Sequence, residues 1–235
     1  PHSPVVAERQ HRRIYADQDE EKQHYYGCIT AMDEQMGRLR QTLRDLDIAG
    51  NTLICFNSDN GPAGRGGGCD QNPGARQQGT PGPFRGRKGS LYEGGIRVPG
   101  LMVWPARIKN HRQVAAACCS SDYFTTILDI LGYQLPEEKE RPYDGISLLP
   151  LISGSMCTRP RPIGFQSRDQ VAFTDSRYKL YRAGEGGRYE LYDLLADPAE
   201  SRDIADRHPE IVCDLAQQLD IWRHSCSNSL AGNDY

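Results

Sequence analysis

Three features that the 235-residue sequence lacks restrict what it can be. No apolar run approaches the roughly 18 residues that a membrane span needs. There is no large excess of charge of one sign, since the net charge is −3 and the isoelectric point is near 6.1, and this balance argues against general nucleic-acid binding. The eight cysteines include no C-x-x-C pair, so they do not indicate a disulfide scaffold in a chain of this size.

The most informative segment spans residues 51–62 and reads Asn-Thr-Leu-Ile-Cys-Phe-Asn-Ser-Asp-Asn-Gly-Pro. A short apolar run over residues 53–56 predicts a buried strand, which ends in the polar pair Asp59 and Asn60. Open α/β sheets place ligands where strands end, and Asp and Asn supply the hard oxygen donors that Ca²⁺ or Mg²⁺ prefers. The alternative interpretation is a polar turn after a core strand, because Asp, Asn and Gly are ordinary turn formers.

A glycine-rich, cationic loop follows this segment. Residues 61–95 hold twelve of the 24 glycines. Glycine lets the backbone approach a ligand closely, and positive charge favours an anionic one. The basic residues of the loop are Arg65, Arg76, Arg85, Arg87 and Lys88, against only Asp70 and Glu93.

Hydrophobic periodicity predicts the architecture of the first part of the chain. Apolar residues at three- and four-residue multiples predict an amphipathic helix over residues 21–46, stopped by Gly50. With strands at 53–56 and 102–104, the helix-then-strand order predicts an α/β fold with a largely parallel sheet. A second helix begins at Ser120 or Ser121 and ends at Gly132. The apolar residues of the two helices are Tyr26, Ile29, Met36, Leu39, Leu43 and Leu46 in the first, and Phe124, Ile127, Leu128 and Leu131 in the second.

The pattern changes after Arg159. Four short segments, near 164–166, 170–173, 178–182 and 189–192, alternate with turn residues and predict a small antiparallel meander. Pro209 is suited to the first turn of a final helix. We expect that helix to pack on the meander through one apolar face, made of Val212, Leu215, Leu219 and Trp222.

Several motifs together resemble the sulfatase family of the alkaline-phosphatase superfamily. The resemblance rests on four segments in a fixed order: Pro1-His2-Ser3-Pro4, then Ser58-Asp59-Asn60-Gly61-Pro62, then Lys88-Gly89-Ser90-Leu91-Tyr92-Glu93-Gly94-Gly95-Ile96-Arg97-Val98-Pro99, and last Glu190-Leu191-Tyr192-Asp193-Leu194 with Asp197-Pro198-Ala199-Glu200. It implies part of an alkaline-phosphatase-like mixed sheet flanked by helices, followed by a small C-terminal antiparallel sheet with a packed helix. Residues 1–158 would be the C-terminal part of the catalytic domain, and 159–235 a small α+β subdomain.

The matched motifs are those of the second half of a sulfatase. The family's Cys-or-Ser-x-Pro-x-Arg segment, whose first residue becomes the formylglycine nucleophile, does not occur in the sequence, nor does its early Asp pair. Cys157-Thr158-Arg159-Pro160-Arg161 is similar, but its proline stands one place late, and we interpret Cys157 as a loop thiol. The expectation is therefore a carboxyl-terminal fragment whose partner is the N-terminal half of the same enzyme.

By resemblance, the complete enzyme would hydrolyse aryl or carbohydrate sulfate esters. Asp59 and Asn60 would be ligands of one bound Ca²⁺, Lys88 would donate to the sulfate oxygens, and His2 would contact the sulfate or protonate the leaving oxygen. Arg97 would hold the loop rather than touch substrate. The resemblance also implies a periplasmic, secreted or lysosomal location.

Two other functions remain open at this stage. One is a phosphodiesterase or phosphonate monoester hydrolase of the same superfamily, which keeps much of this scaffold. The other is a non-catalytic fragment that holds sulfated glycans through the cationic loop, in which case binding would be salt-sensitive and independent of metal.

Overall fold

The computed structural model describes residues 2, 4–64, 78–133 and 142–234. In these residues the chain forms six α-helices, six strands and three short 3-10 turns at Arg13–Tyr15, Ala49–Asn51 and Ala205–Arg207. The helices are α1 Arg9–Arg12, α2 Glu20–Asp45, α3 Glu93–Ile96, α4 Ser121–Ile130, α5 Leu149–Ser153 and α6 Pro209–Leu230. The strands are β1 Ile54–Asn57, β2 Gly100–Val103, β3 Ile163–Ser167, β4 Gln170–Thr174, β5 Tyr178–Arg182 and β6 Glu190–Asp193.

The chain divides into two compact units. The N-terminal unit comprises residues 1–90 and 94–109, and the C-terminal unit comprises 91–93 and 110–235. Three residues of the segment from Lys88 to Pro99, called the lysine motif below, thus belong with the later part of the chain. The domain boundary after residue 158 stays a prediction.

The long first helix of the N-terminal unit is confirmed. Helix α2 begins after Asp19, whose side chain accepts a hydrogen bond from the backbone N of Lys22 at 2.9 Å, and two glutamates in its first turn favour the positive end of the helix dipole. It ends earlier than predicted. The stop is Asp47, in the left-handed conformation with φ 54°, because Asp tolerates that conformation and a helix commonly ends on such a residue.

The face of α2 that is buried differs from the predicted apolar stripe. Its buried residues are His24 and Gly27, which face the segment around Ala7. A Cβ on Gly27 would lie 2.8 Å from the Cβ of Ala7. By contrast Leu39 and Leu46 are 46% and 61% exposed. The close approach of the N-terminal segment, which only a glycine permits, selects the buried face.

The strands β1 and β2 pair antiparallel, with Ile54 opposite Val103 and Asn57 opposite Gly100, so the predicted parallel arrangement is wrong for this pair. A parallel neighbour needs a crossover connection that returns to the starting edge of the sheet. Among the described residues between these strands, the only helix is the four-residue α3. The chain reverses and pairs directly.

The meander predicted after Arg159 is confirmed. Strands β3 to β6 form one antiparallel sheet in sequential order. The core of the C-terminal unit lies between this sheet and α6, and consists of Val171, Phe173, Leu180, Leu191, Ala205, Leu215 and Leu219. Helix α6 begins at Pro209 as predicted, and Val212 and Trp222 pack at the margin of this core. A Cβ on Gly164 would lie 2.4 Å from the Trp222 ring, so the indole packs directly on the backbone of β3.

Helix α4 lies where predicted, and Gly132 with φ 73° follows its C-cap residue Leu131, but two details differ. Ser120 makes no capping hydrogen bond through its side chain. Asp122 instead accepts from the backbone N of Cys119 and of Ile146, both at 2.8 Å. The buried side chains are Asp122, Thr125 and Thr126, whereas Phe124 and Leu131 are 53% and 63% exposed. These polar side chains can be buried because each makes a hydrogen bond to the backbone.

The structure also bears on membrane spans and on the cysteines. None of the helices in the described ranges has both the length and the apolar character of a membrane span. The seven cysteines within those ranges are all unpaired.

Candidate active site

The turn that follows β1 carries the predicted metal ligands. The backbone N of Ser58 donates to the carbonyl of Pro99 at 3.2 Å, and its hydroxyl donates to the carbonyl of Asn60 at 3.0 Å. Asp59 is exposed, and Asn60 is half-buried. Polar side chains therefore emerge at the end of a strand, where the sequence predicted them.

Two backbone hydrogen bonds bring the lysine motif to this turn. The backbone N of Gly61 donates to the carbonyl of Gly95 at 2.8 Å, and the backbone N of Lys88 donates to the carbonyl of Pro62 at 3.1 Å. Lys88 is exposed. The two motifs, with 25 residues between Pro62 and Lys88, are thus adjacent in the fold.

The glycines of both motifs are required by close packing of backbone on backbone. A Cβ on Gly61 would lie 1.9 Å from the carbonyl oxygen of Gly94. A Cβ on Gly94 would lie 2.4 Å from the carbonyl oxygen of Gly86, and one on Gly95 would lie 2.0 Å from that of Ser90. No side chain fits at such distances, so the glycines fix how closely the two motifs approach.

The predicted metal ligands fit a hard cation in donor type but not in number. Asn60 donates its amide Nδ2 to the carbonyl of Gly61 at 2.9 Å, which leaves its amide oxygen as the atom that could bind a cation. Together with the Asp59 carboxylate this gives oxygen donors, the type that Ca²⁺ takes. Within the described ranges, no group of three or more His, Cys, Asp or Glu residues could hold a metal ion. These two residues are therefore part of a site at most.

The structure gives less information on the other predicted site residues. His2 is exposed, and residues 1 and 3 on either side of it lie outside the described part of the chain. Its contact with the sulfate or the leaving oxygen stays a prediction. Arg97 lies over the Phe84 ring, with its guanidinium carbon 4.8 Å from the ring centroid, and its role in holding the loop stays a prediction. Arg65, Asp70 and Arg76 lie outside the described residues.

Three consecutive residues of the lysine motif, 91–93, are held inside the C-terminal unit by polar contacts. The backbone N of Leu91 donates to the Gln170 side chain at 3.3 Å, and the Tyr92 hydroxyl donates to the Glu190 carboxylate at 2.7 Å. Glu93 contacts Lys179. Since Gln170, Lys179 and Glu190 lie on β4, β5 and β6, three neighbouring strands anchor three consecutive residues.

A buried lysine between two carboxylates is the centre of this anchor. Lys179 is fully buried, and its Nζ lies 3.0 Å from Oε1 of Glu93 and 2.9 Å from Oε1 of Glu200. Glu200 also accepts from the backbone N of Glu93 at 2.6 Å. Burial raises the pKa of Glu200, and the nearby Lys179 ammonium opposes that rise. This network joins Glu93 of the lysine motif to Glu200 of the Asp-Pro-x-Glu motif.

Sequence reasoning did not identify this network, nor a second buried ion pair. Lys179 lies in a strand pattern where alternation gives no sign of a buried charge. Arg159, in the segment that resembles a nucleophile motif, donates to Asp122 at 2.7 Å, and both side chains are almost fully buried. Cys157 in the same segment is exposed. The signal that could have found Lys179 is the pairing of the two glutamate-containing motifs, each of which needs a cationic partner once buried.

Comparison with known proteins places the chain in a family. The fold is α/β, and the model of the Sulfatase family matches residues 1–133. The model of the N-sulphoglucosamine sulphohydrolase C-terminal region matches residues 84–225. The chain belongs to the sulfatase family, which lies in the alkaline-phosphatase superfamily.

Characterised relatives agree with this assignment. The chain is 30% identical over 207 residues to an N-acetylgalactosamine-6-O-sulfatase of Bacteroides thetaiotaomicron, covering 82% of this chain and 40% of the relative. It is 32% identical over 181 residues to the N-acetylgalactosamine-6-sulfatase of Sus scrofa, covering 77% and 32%. It is 37% identical over 131 residues to the steryl-sulfatase of Rattus norvegicus, covering 55% and 20%. The chain spans well under half the length of these relatives.

Solved structures share the fold. A Bacteroides thetaiotaomicron structure described under metabolism of multiple glycosaminoglycans matches with a TM-score of 0.78 and 28% identity, over 95% of this chain and 48% of that one. The phosphonate monoester hydrolase of Agrobacterium radiobacter matches with a TM-score of 0.60 and 24% identity, over 86% and 41%. The second likeness concerns the fold alone.

Proposed function

We propose that this chain is part of a hydrolase that cleaves sulfate esters, and that Asp59, Asn60 and Lys88 belong to its active site. The observation that supports this proposal best is the hydrogen bond from the backbone N of Lys88 to the carbonyl of Pro62, at 3.1 Å. It brings the backbone of Lys88 next to a turn that carries two oxygen donors. A cation held by those donors, together with the Lys88 ammonium, would suit a bound anionic group.

Asp59 and Asn60 would hold a Ca²⁺ ion through carboxylate and amide oxygens. When bound, such an ion polarises the oxygens of a sulfate group. Calcium takes about six to eight oxygen ligands, so further ligands would come from outside these 235 residues. This part of the proposal is carried by the donor type and by membership of the sulfatase family.

Lys88 would donate hydrogen bonds to the sulfate oxygens and stabilise the negative charge that grows as the ester bond breaks. His2 would contact the sulfate or donate a proton to the leaving alcohol oxygen. The nucleophile would be a formylglycine supplied by a segment outside this chain. Each of these roles follows the family motif onto the matching residue of this sequence.

The substrate class is proposed to be a carbohydrate or aryl sulfate. The names of two relatives specify the 6-sulfate of N-acetylgalactosamine, and another names a steryl sulfate. These substrates share a sulfate ester on an alcohol and differ in the group that leaves. The residues at this turn would contact the shared sulfate group and so do not separate the candidates.

The proposal is tested in the full-length protein with an aryl sulfate and calcium. Lys88→Ala should lower kcat by about 10²–10³, as expected for the loss of a donor aimed at developing charge. Asp59→Ala should abolish turnover and weaken calcium binding measured by titration calorimetry. Arg107→Ala is the matched control, because Arg107 is exposed and stacks on Trp104 away from the turn. Unchanged activity and calcium affinity in Asp59→Ala would remove the metal assignment.

Two comparisons separate the alternative functions. Faster cleavage of an aryl phosphate or phosphonate ester than of the matching aryl sulfate would favour the phosphate-ester alternative. Binding of a sulfated glycan that salt weakens and metal removal leaves unchanged would favour a non-catalytic surface.

A further inference from the structure

Arg87, the residue before the candidate lysine, uses its guanidinium inside the loop. Its Nη1 donates to the carbonyl of Ala63 and to the carbonyl of Gly79, both at 3.0 Å. A guanidinium Nη1 carries two hydrogens, so one nitrogen can satisfy both carbonyls. The side chain is half-buried, which strengthens these bonds relative to contacts made in open water.

The two carbonyls belong to segments that surround the metal-ligand turn. Ala63 comes directly after Pro62, the residue whose carbonyl accepts from the backbone N of Lys88. Gly79 packs against the same proline, because a Cβ on Gly79 would lie 2.7 Å from the Pro62 Cβ and 2.7 Å from the Tyr25 hydroxyl. Arg87 therefore ties together three stretches of backbone near one turn.

We infer that Arg87 is a positioning residue for Lys88, and this inference rests on the proposed function. The side chain of Arg87 and the backbone N of Lys88 hold the two ends of one dipeptide to Ala63 and Pro62. A lysine side chain is long and flexible, so the place of its ammonium depends on how firmly its backbone is fixed. Fixing the backbone therefore restricts where the ammonium can lie relative to Asp59 and Asn60.

This role also limits how Arg87 can act on an anionic ligand. A guanidinium that donates to two backbone carbonyls is committed to the loop, and it contributes to the local positive charge without offering that nitrogen to a ligand. In the cationic loop, Arg87 acts as a structural tie, whereas Lys88 is exposed.

The test uses the full-length enzyme with an aryl sulfate and five variants: Arg87→Ala, Arg87→Lys, Lys88→Ala, the double variant R87A/K88A, and Arg107→Ala as the control. For each variant kcat and KM are measured separately, together with the melting temperature. We expect Arg87→Ala to lower kcat by up to about 10²-fold, the effect of misplacing a reacting group by about 1 Å. Arg87→Lys should recover part of the loss, because an ammonium can still donate to one of the carbonyls. The control should match the wild type.

The double variant decides whether Arg87 acts through Lys88. If it does, R87A/K88A is no slower than Lys88→Ala alone, since there is no ammonium left to position. Losses that multiply in the double variant would overturn the inference, as would a wild-type kcat in Arg87→Ala. If Arg87→Ala does not fold, the same cycle is run with Arg87→Lys and judged in the same way. A wild-type kcat in Lys88→Ala would instead overturn the proposed function, and the two failures are thereby distinguished.

Discussion

His24 shows how a single buried polar side chain holds the N-terminal unit together. Its Nδ1 accepts a hydrogen bond from the backbone N of Ala7 at 3.0 Å, and both residues are buried. Burial lowers the pKa of His24, and the charge of Arg12 lowers it further. The neutral ring is therefore the form that the folded chain favours.

Replacing His24 should destabilise the protein in a pH-dependent way. His24→Ala leaves the buried Ala7 N–H without a partner, which costs about 1–3 kcal/mol in the free energy of unfolding. The folded-state pKa of His24 lies below the ordinary histidine pKa. The contribution of His24 to stability is therefore fully present at pH values above the ordinary pKa. That contribution is lost as the pH falls from the ordinary pKa through the lowered folded-state pKa. Denaturant unfolding at several pH values measures this, with exposed His111→Ala as the control. Parallel pH curves for wild type and His24→Ala would contradict it.

The Lys179 network should be among the residues most sensitive to substitution. Lys179→Met leaves Glu93 and Glu200 buried next to each other without a cation, so we expect a loss of about 3–5 kcal/mol in unfolding free energy. Arg177→Ala removes an ion pair with Asp193 whose arginine side chain is 56% exposed, and it should cost about 0–1 kcal/mol. Equal effects in the two variants, measured by denaturant unfolding, would count against the buried network as a stabilising anchor.

The pKa of Glu200 gives the sign of a further pH effect. Because burial raises this pKa above the ordinary carboxyl value, the contribution of Glu200 to stability is fully present below the unfolded-state pKa. It is lost as the pH rises through the raised folded pKa. Without the Lys179 ammonium, which opposes the rise, the pKa of Glu200 should be raised further. The destabilisation in Lys179→Met should therefore shrink as the pH is lowered below the carboxyl range, and a constant destabilisation would contradict the assignment.

At the scale of elements, the contact between the two motifs depends on glycines. Gly61→Ala would place a Cβ 1.9 Å from the carbonyl oxygen of Gly94, so the backbone must move and the bond from Gly61 to Gly95 must lengthen. If the turn holds Ca²⁺ as proposed, we expect calcium binding to be lost, and in any case we expect increased cleavage of the loop by protease. Gly37→Ala is the matched control, because Gly37 lies on an exposed face of α2 with open space around its Cβ. It should stabilise that helix by about 0.5–1 kcal/mol. A Gly61→Ala variant that binds calcium normally would contradict this account.

At the scale of the whole molecule, several large apolar side chains lie on the surface. Leu101 and Val103 on β2 are 61% and 41% exposed, and Phe124 and Leu131 near α4 are 53% and 63% exposed. The chain also covers less than half the length of the sulfatases to which it is similar. Apolar surface and unpaired strand edges of this kind favour association in water.

These 235 residues expressed alone should therefore lack hydrolytic activity and aggregate. On the proposed function, co-expression with the remaining part of the full-length protein should restore solubility before activity, since activity would also need the proposed formylglycine. The measurements are size-exclusion chromatography and turnover of an aryl sulfate. A monomeric 235-residue protein that cleaves the ester unaided would contradict this prediction.

The sequence by itself determined the elements whose signals are local. The long helix before β1, the four-stranded meander, the start of α6 at Pro209 and the family all followed from periodicity, turn residues and ordered motifs. The motif glycines marked the loop, and the polar pair after β1 marked the candidate site. These features depend on residues close together along the chain, so a single sequence carries them.

Only the tertiary structure decided what depends on distant partners. The antiparallel pairing of β1 and β2, the exposed apolar stripe of α2 and the polar buried face of α4 each depend on which segment covers which face. The burial of Lys179 between Glu93 and Glu200 joins residues up to 107 positions apart. The ties of Arg87 to Ala63 and Gly79 depend on how the loop folds back. A charged side chain has the same local pattern whether it meets water or a buried partner, and only folding chooses between them.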